Sequence, residues 1–398
     1  MQEARLELMI RKPCPDGRGF VIKELPSGVV YAGYRPVRLA PGKYDVRANS
    51  SPVEGKRYYV LKAHESQKYL SLNEREYYLW ELMDGSRNIR EIASQYFFQF
   101  GSLDFTAIKG LLSRLRDAGL VEFEPASRLR VAADRSSSRF VKYIRGLLGR
   151  LEYRIEDADG WVTRFYERGG WLLVNEYAVI LFTLLSVAGI SAFGRFSESG
   201  IFPFEQMYRH PVLFVAAALL SVYPIAAIHE IFHALACKRF GRKVYAFGFT
   251  LWDGFYPSFY TDVSDIYLSS RKERLIVSLA GPLSTTAVAA LFFIPVAVVP
   301  DAWFSETFYN IGCLSLIIGV VSLYPFQFIK MDGYYILVDL LGFPGLRERT
   351  FAFVRSLPGF VRGGMRFSRA DAIMLAYFAL SVLSIIGAAA YIYHATTV

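Results

Sequence analysis

Two histidines and a glutamate, His229, Glu230 and His233, lie in the middle of an apolar stretch, AAIHEIFHALACKRFG. The spacing of four residues places both imidazoles on one face of a helix, where they can bind one zinc ion. Glu230, next to the first imidazole, can then take a proton from a zinc-activated water molecule and pass it to a leaving amine. The pattern predicts the chemistry of a zinc-dependent peptide hydrolase.

The apolar surroundings of these groups favour a functional site. Burying a glutamate and two histidines in a membrane segment costs several kcal/mol unless they contact partners or line a water-filled cavity. Pro224, five residues upstream of His229, is expected to loosen the helix where water has to enter. The alternative is a pair of histidines that is satisfied within a helix bundle and has no catalytic role.

A catalytic zinc ion takes three protein ligands and keeps a fourth position for water. Asp332, in the segment FIKMDGYYILVDLLG, is the candidate for the third ligand. It follows an apolar run and is expected on the same side of the membrane as the histidines, and Gly333 after it allows a close backbone approach. On these residues alone, a simple Asp-Gly turn after a membrane helix is an equally good interpretation.

The composition places these residues in a membrane protein. The chain is 53% hydrophobic and 16% aromatic, which is too apolar for an ordinary soluble protein. Five apolar runs are each long enough to span a bilayer. They cover roughly 174–193, 211–236, 275–299, 307–329 and 371–394. We therefore predict a mainly α, multi-pass helical membrane protein.

The distribution of positive charge predicts the orientation. The two predicted outer loops contain only Arg195 and Arg209, whereas the inner loops 237–274 and 343–370 contain seven and six Lys/Arg residues. This asymmetry predicts a cytoplasmic N-terminus and accounts for the net charge of +9 without nucleic acid. Residues 138–151, SRFVKYIRGLLGRL, alternate basic and apolar positions at helical spacing, as in a helix lying in the membrane interface or packing on a neighbouring domain.

The first 130 residues are predicted to be a soluble domain. A β-rich start precedes three helices, from Leu72 to Leu82, from Asn88 to Phe98, and after Asp104, followed by the short strand LVEFE. The segment RYYVLKAHESQKYLSLNEREYYLWELMDGSRNIREIA resembles the PqqD family of small winged-helix domains. The resemblance covers 57–124 and implies binding of precursor peptides; DNA binding and a structural or regulatory role are the alternatives.

Three successive segments carry a second resemblance. HEIFHALACKRFG, YTDVSDIYLSSRKERLIVSLAGPLS and KMDGYYILVDLLGFPGLRER resemble the signatures of site-2-type intramembrane zinc proteases, in particular the bacterial peptide zinc metalloproteases. The resemblance implies that His229, His233 and Asp332 bind zinc and that Glu230 is catalytic. The family commonly has an Asn-Pro pair before the Asp-Gly, where this chain reads LYPFQFIKMDG; Gln327 is the nearest amide and the expected substitute.

The segment between the second and third spans, KVYAFGFTLWDGFYPSFYTDVSD, predicts a β-hairpin with Asp253-Gly254 as a two-residue turn. Its edge could hold a substrate as an added strand, or the hairpin could merely shield the site. Asp262 is expected either to cap a helix or to support the site. Gly281-Pro282 is interpreted as a close contact between helices.

Together these observations predict three regions: a soluble domain at 1–130, a basic interfacial linker at 131–170 and an intramembrane metalloprotease domain at 171–398. The resemblance implies a zinc endopeptidase of the bacterial inner membrane that cuts a peptide precursor or a membrane-anchored protein near the cytoplasmic face. A peptide-export or modification system is a further expected partner, besides the lipid bilayer. The alternatives are a maturation or export scaffold with secondary hydrolysis and a membrane-tethered regulator.

Overall fold

The computed structural model describes residues 8–13, 20–25, 33–101, 105–122, 153–156, 158–197, 211–252, 256–300, 304–326, 328–362 and 367–397. The chain divides into two compact units. The first comprises Met1–Ser51 and Gly55–Ile144, and the second comprises Arg145–Val398 with Pro52–Glu54. The segment 138–151, for which we predicted an interfacial helix, lies outside the described residues.

The first unit combines short antiparallel sheets with helices. Its strands are β1 Leu8–Pro13, β2 Phe20–Leu25, β3 Val37–Arg38, β4 Tyr44–Ser50, β5 Arg57–Ala63, β6 Tyr69–Asn73 and β7 Val121–Glu122. They pair as β1–β2, β3–β7 and β4–β5–β6. Its helices are α1 Glu74–Glu81, α2 Ile89–Phe100 and α3 Phe105–Asp117.

Capping residues determine where the helices of this unit begin. The side chains of Asn73 and Asn88 each accept a hydrogen bond from the main-chain N–H three residues later, and the carboxylates of Glu76 and Glu91 accept one from the main-chain N–H of the cap. The first helix therefore starts at Glu74 and not at Leu72 as predicted, because Leu72 and Asn73 still belong to β6. The predicted cap Asp104 lies outside the described residues. The three predicted helices themselves are confirmed.

The second unit contains a small sheet and a series of long helices. Its strands are β8 Tyr153–Glu156, β9 Ala246–Trp252 and β10 Tyr256–Asp262. Its helices are α4 Asp159–Glu167, α5 Glu176–Ser197, α6 Pro211–Arg239, α7 Arg271–Val298, α8 Ser305–Leu323, α9 Asp332–Leu341, α10 Leu346–Arg362 and α11 Arg369–Thr397. Short 3₁₀ turns at Gly170–Leu173 and Ser264–Leu268 precede α5 and α7.

Five of the described helices, α5, α6, α7, α8 and α11, are long and apolar enough to cross a membrane. The protein is thus mainly helical with the architecture of a multi-span membrane protein, as predicted. The fourth span ends at Leu323 and not near 329, because Pro325 disfavours helical backbone at Tyr324. The chain then re-enters a helix at Asp332, so that a break separates α8 from α9.

Helix α7 lies at the centre of the second unit, which contains the five apolar helices and is called the membrane unit below. It packs against α5, α6 and α8, and 44% of its apolar stretch is buried, the largest share among the five spans. Small residues permit this close packing. A Cβ atom added to Gly189 of α5, for example, would lie 2.4 Å from the Cβ of Ala290 on α7.

The strands β8, β9 and β10 form an antiparallel sheet with β9 in the middle. Trp252 pairs with Tyr256, which confirms the predicted hairpin. The predicted turn residues Asp253 and Gly254 lie outside the described residues. Among the described strands β10 pairs with β9 alone, and its side chains Phe259 and Thr261 contact α6, the helix that carries the histidines.

Candidate metal centre

Helix α6 carries His229, Glu230 and His233 in its C-terminal half. The helix runs without a break through Pro224 for 29 residues. Both histidines are buried, each with 6% of its surface exposed. Their rings are 4.8 Å apart between centroids and inclined at 75°, so that the two Nε2 atoms point toward one another. The predicted common face is therefore present.

The carboxylate of Asp332 completes a cluster with the two imidazoles. His229 Nε2 lies 3.1 Å from His233 Nε2 and 2.9 Å from Asp332 Oδ2, and His233 Nε2 lies 3.3 Å from Asp332 Oδ1. Ligands about 2.0–2.1 Å from a tetrahedral zinc ion are about 3.3 Å from each other. The two imidazole nitrogens and the carboxylate oxygens of Asp332 thus lie at spacings close to those of a zinc ligand set. Among the described residues this is the cluster of His, Cys, Asp and Glu side chains that could hold a metal ion.

Helix α7 supports this cluster in two ways. His233 Nδ1 lies 2.7 Å from the main-chain oxygen of Val277, so this nitrogen donates and leaves Nε2 with a free lone pair for a metal. His229 has no comparable support, since its Nδ1 is buried without a hydrogen-bond partner among the described residues.

The second contribution of α7 is space. A Cβ atom built on Gly281 would lie 2.3 Å from His233 Nε2 and 2.5 Å from His229 Nε2. These values are close to zinc–nitrogen distances of about 2.0–2.1 Å, so the absent side chain leaves room where an ion would meet both nitrogens. The interpretation of Gly281 as a close helix contact is therefore incomplete, because the contact is with the imidazoles themselves. The donor set and this space fit a zinc ion.

The start of α9 positions Asp332. A Cβ atom at Gly333 would lie 2.1 Å from the main-chain oxygen of Leu323, so only glycine lets α9 begin against the end of α8. The predicted close approach at Gly333 is confirmed. Burial tends to raise the pKa of Asp332, but the two imidazoles lower it more, and the net effect keeps the pKa below its usual range. The carboxylate is thus held in the ionised form that binds metal.

Strand β10 contacts the helix at Glu230. The hydroxyl of Thr261 donates a hydrogen bond of 3.0 Å to the main-chain oxygen of Glu230. This bond joins the edge strand to the residue for which we predict the catalytic role. Nothing in the local sequence pattern identifies Thr261, because its partner lies 31 residues away and is a backbone atom.

A cavity of about 480 Å³ surrounds the cluster, and Glu230 lines it together with the three predicted ligands. One part of its wall is apolar and comes from α6 and α8, including Val222, Ala226, Ile317 and Val321. Another part is polar and includes Ser264, Tyr267, Arg274 and Lys330. The cavity therefore offers both apolar and polar surface to a bound peptide segment.

Asp262 also lines this cavity, at the end of β10. Its Oδ1 accepts hydrogen bonds from the main-chain N–H and the hydroxyl of Ser264, at 3.2 and 2.6 Å. Its Oδ2 lies 3.3 Å from Arg154 of β8. Asp262 is thus bonded to its neighbours and to β8, but the N-cap of the following 3₁₀ turn is Val263, which makes no side-chain capping hydrogen bond. The other three predicted supporting residues, Asp253, Gly254 and Gln327, lie outside the described residues.

A buried ion pair adjoins the cavity. Arg274 of α7 and Asp339 of α9 are 4% and 8% exposed, and Arg274 Nη2 lies 2.7 Å from Asp339 Oδ1. Burial raises the pKa of Asp339, and the guanidinium opposes this rise without cancelling it. The charge on Asp339 therefore depends on Arg274 remaining beside it. Asp339, a charged residue within the apolar stretch YYILVDLL, is the signal by which the sequence could have identified one partner of this pair.

Comparison of the chain with protein-family models, curated proteins and solved structures found no match. The fold and the cluster define a multi-span helical membrane protein with a candidate metal centre. The resemblances to site-2-type proteases and to PqqD domains stay predictions.

Proposed function

We propose that the protein is a zinc-dependent endopeptidase that cuts peptide bonds of a precursor peptide or a membrane-anchored protein near one face of the membrane. The observation that carries this proposal is the convergence of His229, His233 and Asp332, next to Glu230, in a cavity among apolar helices. A binding scaffold has no need of a glutamate beside two metal-binding imidazoles.

Each residue has a defined role in this proposal. The two imidazoles and the Asp332 carboxylate hold the ion, which when bound polarises the scissile carbonyl and activates a water molecule. Glu230 accepts a proton from the attacking water and delivers it to the leaving nitrogen as the C–N bond breaks. The hydrogen bond from Thr261 and the packing of Gly281 hold the groups in position.

The edge of β10 is the part of the cavity best suited to hold a substrate. An extended peptide can add to an unpaired strand edge through main-chain hydrogen bonds. A membrane-spanning helix must unwind locally before it is cut, because its carbonyls are engaged within the helix. Strand addition at β10 would hold such a segment open beside Glu230. The N-terminal unit would bind or position the rest of the substrate, and the charge asymmetry favours a cytoplasmic location for it.

The test is a cleavage assay on full-length protein in detergent micelles. The probe is a mixture of synthetic peptides of about 20 residues, the length of one membrane span, each with an apolar and a polar half, and products are detected by mass spectrometry. We expect cleavage by the wild type and none by Glu230→Gln, with equal zinc content in both. Asp371→Asn, which alters a carboxylate at the start of α11, serves as the control with unchanged cleavage.

Equal cleavage by Glu230→Gln would contradict the assignment of Glu230. Zinc binding without cleavage of any peptide would favour the scaffold alternative. Salt-sensitive DNA binding by the full-length protein would favour the regulator alternative.

A further inference from the structure

The ion pair between Arg274 and Asp339 has no role in the chemistry proposed above, yet it is among the most buried charged contacts of the described residues. Arg274 Nε also lies 2.7 Å from Asp339 Oδ1, so the guanidinium grips one carboxylate oxygen through two nitrogens. Taking two charges out of water is costly, and apolar side chains of similar volume stabilise a fold equally well or better. The stability of the fold therefore does not explain the pair.

The position of the pair relative to the metal cluster is informative. Arg274 precedes Gly281 by seven residues on α7, and Asp339 follows Asp332 by seven residues on α9. Seven residues correspond to about two helical turns and about 10.5 Å. The same two helices are thus linked at two levels: the ion pair at one end, and the cluster of imidazoles, Gly281 and Asp332 at the other.

The start of α9 is held by the close approach of Gly333 to the main-chain oxygen of Leu323, but no side chain caps it. The residue before it, Met331, makes no side-chain capping hydrogen bond, and the preceding segment is irregular. At the other end, Arg271 of α7 donates a second hydrogen bond, to the main-chain oxygen of Leu340. The attachments from α7 to the last turns of α9 therefore act together with the contact at Gly333 to restrain rotation of α9 about its axis.

A metal ligand tolerates little displacement. Ligand side chains must be held to within about 0.5 Å of the productive geometry. A small rotation of α9 would turn Asp332 away from the two Nε2 atoms. We propose that Arg274, through its ion pair with Asp339, is a positioning residue that holds Asp332 in the metal centre. This inference rests on the metal site of the proposed function.

The test is a titration of metal-stripped, full-length protein with Co²⁺, which reports tetrahedral coordination through its visible absorption. We expect Arg274→Met to weaken Co²⁺ binding about 10- to 100-fold, the range found for groups that orient metal ligands. Arg274→Lys should recover part of the affinity, because it keeps the charge but not the planar fork. The control is Arg242→Met, which removes a guanidinium that contacts Ser269 and Leu268 but not α9; its affinity should stay within about 3-fold, since no ligand helix is held by it.

The double variant Arg274→Met with Asp339→Leu distinguishes an effect on the position of Asp332 from an effect on the stability of the fold. Replacing both charges by apolar side chains should preserve thermal stability, because no charge is left unpaired. Co²⁺ binding should nevertheless stay weakened with an altered spectrum. Wild-type affinity and spectrum in the double variant, or in Arg274→Met, would overturn the proposal and leave the metal site intact. Absence of Co²⁺ binding by the wild type would instead contradict the proposed function itself.

Discussion

Two groups of buried ionisable side chains share helix α9: the metal cluster joins it to α6, and the ion pair joins it to α7. Arg274 and Asp339 carry opposite charges, so the pair is complete in itself. In the cluster of His229, His233 and Asp332, two imidazole nitrogens and a carboxylate face one another. Such a cluster is stable only with a cation or extra protons among its atoms. The contrast indicates that the cluster is a binding site and that the ion pair is a contact between helices.

Removing one of the three predicted ligands is expected to have the largest effect on metal binding. His229→Ala or Asp332→Asn leaves two protein ligands, so zinc affinity should fall by at least about 100-fold, more than for a supporting residue. The measurement is zinc content after dialysis against a weak chelator. The control, Asp117→Asn, removes a largely exposed carboxylate of the first unit and should keep the wild-type content. Retained zinc in both ligand variants would place the metal elsewhere.

Filling the space at Gly281 should have a similar effect without removing any ligand. In Gly281→Ala the added methyl group would collide with both Nε2 atoms, at 2.3 and 2.5 Å, so the imidazoles cannot keep their positions. We expect loss of Co²⁺ binding when metal-stripped, full-length protein is titrated with Co²⁺. The matched control is Gly387→Ala in α11, where an added Cβ meets nothing within 4 Å. Full binding by Gly281→Ala would show that the space is not part of the site.

Loss of the Thr261 hydroxyl should affect catalysis more than metal binding. Thr261→Val removes the hydrogen bond to the Glu230 main chain, a bond that contributes about 0.5–1.5 kcal/mol, so we expect cleavage to fall about 3- to 10-fold at unchanged zinc content. Thr261→Ser should restore it. Thr183→Val, which removes a hydroxyl bonded to the Val179 carbonyl within α5, is the control. Unchanged cleavage in Thr261→Val would show that β10 does not position Glu230.

The smallest effect is expected at Asp262. Its carboxylate contacts Ser264 and Arg154 and none of the three ligands, so Asp262→Asn should leave zinc content unchanged and lower thermal stability by about 1 kcal/mol or less. The comparison is with Asp332→Asn, the same chemical change at a ligand. Loss of zinc in Asp262→Asn would mean that Asp262 belongs to the metal centre.

The parts of the fold that follow from short-range patterns were predictable. Apolar run length predicted five spans, and Asn88 and the spacing of His229 and His233 predicted a helix start and a shared face. The break at Pro325 was missed because the apolar pattern continues through it. The contributions of α7 were harder to predict. The Val277 carbonyl has no side-chain signal, and the imidazoles beside Gly281 and the carboxylate beside Arg274 are 48 or more residues away along the chain. Such contacts depend on how helices pack, which periodicity does not encode.

The central claim is that His229, His233 and Asp332 form one metal site that serves Glu230. The most direct measurement is the metal content of full-length wild type, Asp332→Asn and Glu230→Gln, determined after equal exposure to zinc and removal of the unbound ion. The account predicts about one zinc per chain in the wild type and in Glu230→Gln, and almost none in Asp332→Asn, as expected for a three-ligand site. A wild type without zinc, or equal zinc in Asp332→Asn, would contradict it.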